Sequence, residues 1–131
     1  MTKVIVAGAA GRMGQRISYM VTQNPDLELV AAFEQADNPA VGKDVGENGG
    51  FGSTGVTVSA GLDSVIDQGD VIIDFTFHKA TMEFAKMAAE HNRAMVIGTT
   101  GLSSENLADL KKLAENNFPC VQAPNMAVGV N

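Results

Sequence analysis

The sequence predicts an α/β protein with a doubly wound, mostly parallel sheet and helices on both faces, and three observations carry that prediction. Short apolar runs alternate with amphipathic stretches along the whole chain, the pattern that right-handed crossovers close into a parallel sheet. The first run, Val4-Ile5-Val6-Ala7, passes through a glycine-spaced turn, Gly8-Ala9-Ala10-Gly11-Arg12-Met13-Gly14, into Met13, Ile17 and Val21 at helical spacing. A second run ends in a carboxylate, Glu34, twenty positions beyond Gly14.

Strand, glycine turn and helix together set a helix N-terminus, with its free N–H groups and positive dipole end, where a phosphate can bind. In this arrangement Gly8 takes a backbone shape that a Cβ resists, Gly11 admits a pyrophosphate to the main chain, and Gly14 lets the helix lie close to the sheet. The spacing is G-x-x-G-x-x-G, with Ala10 in place of the middle glycine of the commoner G-x-G-x-x-G. Taken alone, such a turn can equally be a plain strand-to-helix connection. Glu34 adds a second element at the distance where a dinucleotide fold holds the acid that binds the adenosine ribose. Together they predict a Rossmann-like dinucleotide-binding domain over residues 1–131, although a strand-end carboxylate is also common at a solvated edge.

The remaining elements follow in order. Asn24-Pro25-Asp26 stops the first helix, and Leu27 to Phe33 is the second strand. Gln35 to Gly55, rich in glycine, reads as a mobile surface loop near the adenine end of a cofactor. Its carboxylates Asp44 and Glu47 lack the histidine or cysteine company of a metal site, and no metal is expected. Val56-Thr57-Val58 reads as a short strand and Leu62 to Ile66 as a short helix. Val71 to Thr76 is a buried strand whose polar exit, with Asp74, Phe75 and Thr76, faces the ligand crevice at the carboxyl edge of the sheet. His78 to Asn92 is a helix covering the sheet through Thr81, Phe84, Ala85 and Ala88. His78 and His91 at its ends have no partner of metal-ligand or triad type in the sequence and read as surface or cap residues. Ala94 to Ile97 is a strand running into Gly98-Thr99-Thr100-Gly101, which suits either close ligand contact or a turn and helix cap. Ser103 or Ser104 caps a further helix, and Pro119 to Ala123 is the last strand.

With 131 residues, 45% hydrophobic and 18% charged, the chain fits one domain with a real core. The N-terminus enters the first strand almost at once, so no signal or transit peptide is expected, and no apolar run approaches the roughly 20 residues that span a bilayer. A single cysteine, Cys120, in an apolar strand suits a reducing cytoplasm. The net charge of −6 and the absence of a basic stripe argue against nucleic acid as a partner. No catalytic residue is expected within these residues: they hold no general-acid pair, activated nucleophile or metal cluster.

The whole chain resembles the N-terminal domain of the dihydrodipicolinate reductase (4-hydroxy-tetrahydrodipicolinate reductase) family of lysine, or diaminopimelate, biosynthesis. Gly8-Ala9-Ala10-Gly11-Arg12-Met13-Gly14, Val96 to Gly101 and Ala123 to Asn131 carry the resemblance, and Asp74-Phe75-Thr76 and the text from Gly42 to Val58 fit it. The resemblance implies an oxidoreductase that transfers hydride from NADH or NADPH to a cyclic dicarboxylate, giving tetrahydrodipicolinate. It implies that Gly8, Ala9, Ala10, Gly11, Arg12 and Met13 wrap the pyrophosphate and that Glu34, with Gln35 beside it, meets the adenosine ribose. Gly98, Thr99 and Thr100 then line the nicotinamide, Ala123, Pro124, Asn125 and Met126 contact its ring and carboxamide, and Phe75 is counted among the cofactor-binding residues. Thr100 is also placed to touch the substrate.

The family's acid–base H-H-x-x-K-type motif and its substrate and tetramerisation domain have no counterpart within these residues, which stop in a hinge-like stretch over 124–131. The expectation is therefore a cofactor-binding half that is inactive alone and not itself a tetramer, although the full-length enzyme would be a homotetramer. Gln35 stands where many members carry an arginine, and Phe77 where a second is often found. Both departures favour NADH, with NADPH possible and Arg12 or Lys43 the candidates to compensate. Two other readings stay open on sequence: a non-catalytic NAD(H)-sensing module, and the cofactor domain of another dehydrogenase.

Overall fold

A computed structural model describes residues 2–76, 78–98, 104–105, 108 and 120–122. Six parallel strands run in the order β3-β2-β1-β4-β5-β6, with β1 Thr2–Ala7, β2 Leu27–Glu34, β3 Val58–Ala60, β4 Val71–Asp74, β5 Ala94–Ile97 and β6 Cys120–Gln122. This is the strand order of a doubly wound dinucleotide-binding sheet, and it reverses at β1, where a crevice opens beyond the carboxyl ends of β1 and β4. The α-helices complete among the described residues are α1 Arg12–Gln23, α2 Val45–Gly49 and α3 His78–Glu90.

β1 is central because every side chain from Val4 to Ala7 is buried, on alternating faces. Val4 and Val6 point into a core with Val21 of α1, Leu29, Ala32 and Val58. Ile5 and Ala7 point into the opposite core, with Phe33, Ile72, Met95 and the α3 residues Ala85 and Ala88. β2 obeys the same alternation with one interruption. Its pairing with β1 steps from Val4–Leu29 to Ile5–Ala31, leaving Val30 as an extra residue. Consequently Val30 and Ala31 both lean on the α3-side core, Leu29 and Ala32 lie on the α1 side, and the strand's end is turned over relative to its start.

Three sequence expectations are corrected. The stretch from Gln35 to Gly55 is not all loop: Asp44 caps α2, accepting from Gly46 N at 2.8 Å and Glu47 N at 3.1 Å. This segment packs over α1, with the Phe51 ring edge-on to Tyr19 at 5.4 Å. The expected strand at Val56 begins instead at Val58, since Val56 and Thr57 pair back with the Asp44 segment. The expected helix from Leu62 to Ile66 is two 3-10 turns, Leu62–Ser64 and Ile66–Gln68, whose buried Leu62, Val65 and Ile66 still fill the core. The short connection between β3 and β4 allows no longer helix. Of the helix expected after Ser103, only Ser104, Glu105 and Ala108 are described, all helical. Among the described residues no helix is long and apolar enough to cross a membrane.

Candidate functional site

The turn after β1 is fixed from several sides. Gly8 has φ +69, a conformation L side chains avoid, and an added Cβ would also lie 2.8 Å from Thr76 Cγ2. The N–H groups of Gly8 and Ala9 both donate to Phe33 O, at 3.1 and 3.2 Å, and Gly11 N donates to Gly8 O at 3.1 Å. At Gly14 a Cβ would come within 1.9 Å of the Gly8 carbonyl oxygen, so α1 lies directly on the turn. Gly11 differs: its φ of −73 suits any residue, and an added Cβ meets nothing nearer than 3.5 Å. The space beside it is free.

Gly11 is the N-cap of α1, and no side chain caps the helix. The first-turn N–H groups therefore lack intrahelical acceptors and present partial positive charge to the crevice. The crevice has a volume of about 400 Å³. One wall is Gly8, Gly11, Arg12, Met13 and Gly14; the other is Phe75 and Thr76 after β4 with Ala80, Glu83 and Phe84 of α3. Phe33, Glu34, Gln35 and Gly61 close the end beyond β2. Phe33 and Phe84 meet edge-to-face at 5.0 Å there, which gives that end an apolar aromatic lining.

Glu34 is partly buried, and its Oε2 accepts a hydrogen bond from Ala10 N at 2.9 Å. Across the crevice, Asp74 is fully buried at the end of β4. Its Oδ1 accepts from the Thr76 N–H at 2.8 Å and from the Thr76 hydroxyl, which fixes the chain leaving the strand. Its Oδ2 is buried and, among the described residues, has no hydrogen-bond partner. Gly98 N donates to Asp74 O at 2.8 Å, and a Cβ at Gly98 would fall 2.0 Å from the Phe75 ring. Gly98 thus makes room for the ring that forms the crevice wall.

Of the residues expected at the site, Gly8, Gly11, Arg12, Met13, Glu34, Gln35 and Phe75 line one crevice. Ala9 turns its side chain into the core and spends its N–H on β2, while Ala10 spends its N–H on Glu34. Thr99, Thr100, Ala123, Pro124, Asn125 and Met126, together with the hinge-like 124–131, lie outside the described residues. Lys43 lies with Asp44, Glu47 and Asn48 in a separate groove. Thr76, expected at the polar exit of its strand, lines the crevice as well, whereas Gly61 and the α3 face of Ala80 and Glu83 were not foreseen. The only signal for that face was that Ala80 and Glu83 fall outside the helix's core stripe.

His91 is not alone. Its Nδ1 lies 3.1 Å from Asp67 Oδ1, which Arg93 also approaches at 3.3 Å. These partners, His91 foremost, hold the Asp67 carboxyl below its usual range. The cluster sits at the far end of α3 from the crevice. Among the described residues no group of three side chains is arranged to hold a metal.

Residues 2–126 match the family model for the dihydrodipicolinate reductase N-terminus. The chain belongs to this family. It is 65% identical over its whole length to a 4-hydroxy-tetrahydrodipicolinate reductase of Desulfotalea psychrophila and 47% identical to that of Syntrophus aciditrophicus, covering 48% of each. It thus spans about half the length of the curated relatives it matches. Among solved structures, the dipicolinate-bound dihydrodipicolinate reductase from Paenisporosarcina sp. TG-14 superposes with a TM-score of 0.78 at 34% identity, covering 98% of this chain and 49% of that one. The fold is Rossmann-like, and this nucleotide-binding architecture supports use of NAD(P)(H).

Proposed function

We propose that this chain is the cofactor-binding half of a 4-hydroxy-tetrahydrodipicolinate reductase. The carrying observation is the uncapped N-terminus of α1 facing Glu34 across a crevice at the point where the strand order reverses. A pyrophosphate at that terminus meets the first-turn N–H groups of α1 and the Arg12 side chain. The free oxygen of Glu34 then accepts from the adenosine ribose, and the Phe33–Phe84 end suits an adenine ring. Phe75, held down over Gly98, forms an apolar wall toward the nicotinamide and keeps water from that side of the ring. When bound, NAD(P)H supplies the hydride that reduces the cyclic dicarboxylate to tetrahydrodipicolinate.

Glu34, Glu83 and the uncharged Gln35 line the crevice with Arg12, and this charge distribution favours NADH over NADPH. The substrate clamp and proton donor are assigned to the part of the relatives that this chain does not span, reached through residues 124–131. The full-length enzyme is a cytoplasmic homotetramer in this reading, and the 131-residue chain turns nothing over by itself. Calorimetry with NADH tests the reading: saturable one-to-one binding is expected, and none at millimolar cofactor overturns it. Turnover of the dicarboxylate by the purified chain, free of host enzyme, would overturn the division of labour.

A further inference from the structure

Glu34 does more than stand at the ribose end of the crevice. Between Leu29 and Ala31 the register of β2 against β1 steps by one residue. Leu29 lies on the α1 side of the sheet, and five residues of unbroken alternation would carry Glu34 to the α3 side. The extra residue, Val30, reverses this parity, so Ala32 and Glu34 share the α1 side. There the Oε2 atom reaches Ala10 N at 2.9 Å, a contact between residues twenty-four apart in sequence. Ala10 is the middle residue of the turn and the position where the commoner motif has glycine.

We infer that Glu34 is a positioning residue for the phosphate turn, and that the bulge at Val30 exists in β2 to aim it there. This rests on the dinucleotide reading above and adds to it a coupling between the two ends of the site. The hydrogen bond to Ala10 fixes the peptide between Ala9 and Ala10, two residues ahead of the α1 N-terminus. The carboxylate that reads the ribose therefore also shapes the phosphate-binding backbone. A ligand that displaces it, as a phosphate on the ribose 2′ oxygen would by repulsion, releases Ala10 and loosens the turn.

The substitutions Glu34→Gln and Glu34→Met separate this role from charge. Both are neutral and similar in length, but only glutamine keeps an acceptor for Ala10. Inorganic pyrophosphate is the probe, because it has no ribose for Glu34 to read. Removing a negative charge near an anion favours binding in both variants. Loss of the turn's anchor opposes it in Glu34→Met alone. Pyrophosphate titration followed by amide NMR is expected to give a dissociation constant about fivefold higher for Glu34→Met than for Glu34→Gln, with the glutamine variant equal to or tighter than the parent. Equal constants for the two variants would overturn the inference.

The unsubstituted chain supplies a second measurement that depends on neither variant folding nor any ligand binding. In amide hydrogen exchange the Ala10 N–H should exchange far more slowly than a free amide, because Glu34 Oε2 holds it. An Ala10 amide that exchanges like a free one while the fold persists overturns the inference. Failure of the parent to bind NADH overturns the dinucleotide reading instead, and leaves the Ala10 exchange measurement to decide this one.

Discussion

Asp44 and Glu34 each hold a turn near the start of a helix by accepting backbone N–H groups, but Asp44 is saturated and Glu34 is not. Asp44 Oδ1 accepts from Gly46 N, Glu47 N, Thr54 N and the Thr54 hydroxyl, at 2.8 to 3.1 Å. Its Oδ2 takes Gly55 N at 2.8 Å and the Ser53 hydroxyl at 3.4 Å. Both oxygens are consumed in joining the start of α2 to the chain about ten residues later, so this carboxylate has nothing to offer a ligand. Glu34 spends one oxygen on Ala10 and leaves the other at a crevice of ligand size. The same chemical group closes one region and leaves the other open for binding.

Glycines divide along the same line, and the largest expected effects test that division. Gly14 sits against the Gly8 carbonyl, and a Cβ on Gly46 would come 1.8 Å from Gly52 O, backbone against backbone in both cases. Gly14→Val and Gly46→Val are expected to cost about 3 kcal/mol or more, read as a large fall in melting temperature. Gly11→Val, with ordinary φ and free space beside it, should melt within a few degrees of the parent yet lose most NADH binding by calorimetry. A folded Gly11→Val that binds NADH normally would break the comparison at its open end. Gly46→Val melting like the parent would break it at its closed end.

The clasp also makes an acid-sensitivity prediction. The Thr54 N–H is the largest of the influences holding the Asp44 carboxyl far below its usual range, with the N–H groups of Glu47 and Gly55 and the Thr54 hydroxyl adding to it against a smaller cost of burial. A carboxyl depressed in the folded state contributes stability that is fully present above its unfolded value. That contribution is lost as pH falls through and below the ordinary carboxylate range near 4. Asp44→Asn should therefore lower the melting temperature at neutral pH and flatten the loss of stability on acidification. An unchanged acid limb would show that the clasp is not what acid opens.

Asp74 lies between these two extremes, with one oxygen fixing Thr76 and the other buried and, among the described residues, unpaired. Asp74→Ala removes the acceptor for Thr76 and should cost about 1–3 kcal/mol, whereas Asp74→Asn keeps it, so its cost should be well below that of alanine. Denaturant unfolding of the two variants measures the difference. Equal losses would mean that the acceptor for Thr76 is not what Asp74 contributes.

Much of this was legible in the sequence because the local signals were strong. The run from Val4 to Ala7 had to be buried on both faces, the glycine turn had to follow it, and the alternation of elements left little choice of topology. The site's first wall and its ribose end were legible for the same reason, since Gly8, Gly11 and Glu34 carry their geometry in their spacing. What was hidden depended on contacts between distant residues. Glycines from Gly42 to Gly55 read as loop because the bonds that organise them run from Asp44 to Thr54 and Gly55. Register along Leu27 to Phe33 was invisible, because every residue there except Glu28 is apolar and a one-residue step leaves the pattern unchanged. Ala80 and Glu83 join the site only once α3 has folded back on the sheet.

The smallest effect concerns the open end of the comparison and its choice of cofactor. NADPH brings a phosphate to the 2′ oxygen, where Glu34 is placed to accept from a hydroxyl. Glu34 and Glu83 line that crevice and repel such a phosphate, and Gln35 offers hydrogen bonds without charge. Arg12 lines the crevice too, on the opposite wall with the phosphate turn, and Lys43 belongs to a separate groove beside Asp44. A charge-assisted contact exceeds a neutral one by about 1 kcal/mol, which sets the expected preference for NADH at roughly several-fold to tenfold. Gln35→Arg adds a cation next to Glu34 and should narrow the gap chiefly by tightening NADPH. The gain should shrink as salt rises, because the new contact lies at a solvent-facing rim. Titration of both cofactors against parent and variant at low and high ionic strength measures each of these terms. Tighter binding of NADPH than NADH by the parent would mean that another cation, with Arg12 and Lys43 the candidates, reads the phosphate. The Gln35 argument would then fail, while the contrast between the open carboxylate and the closed one would stand.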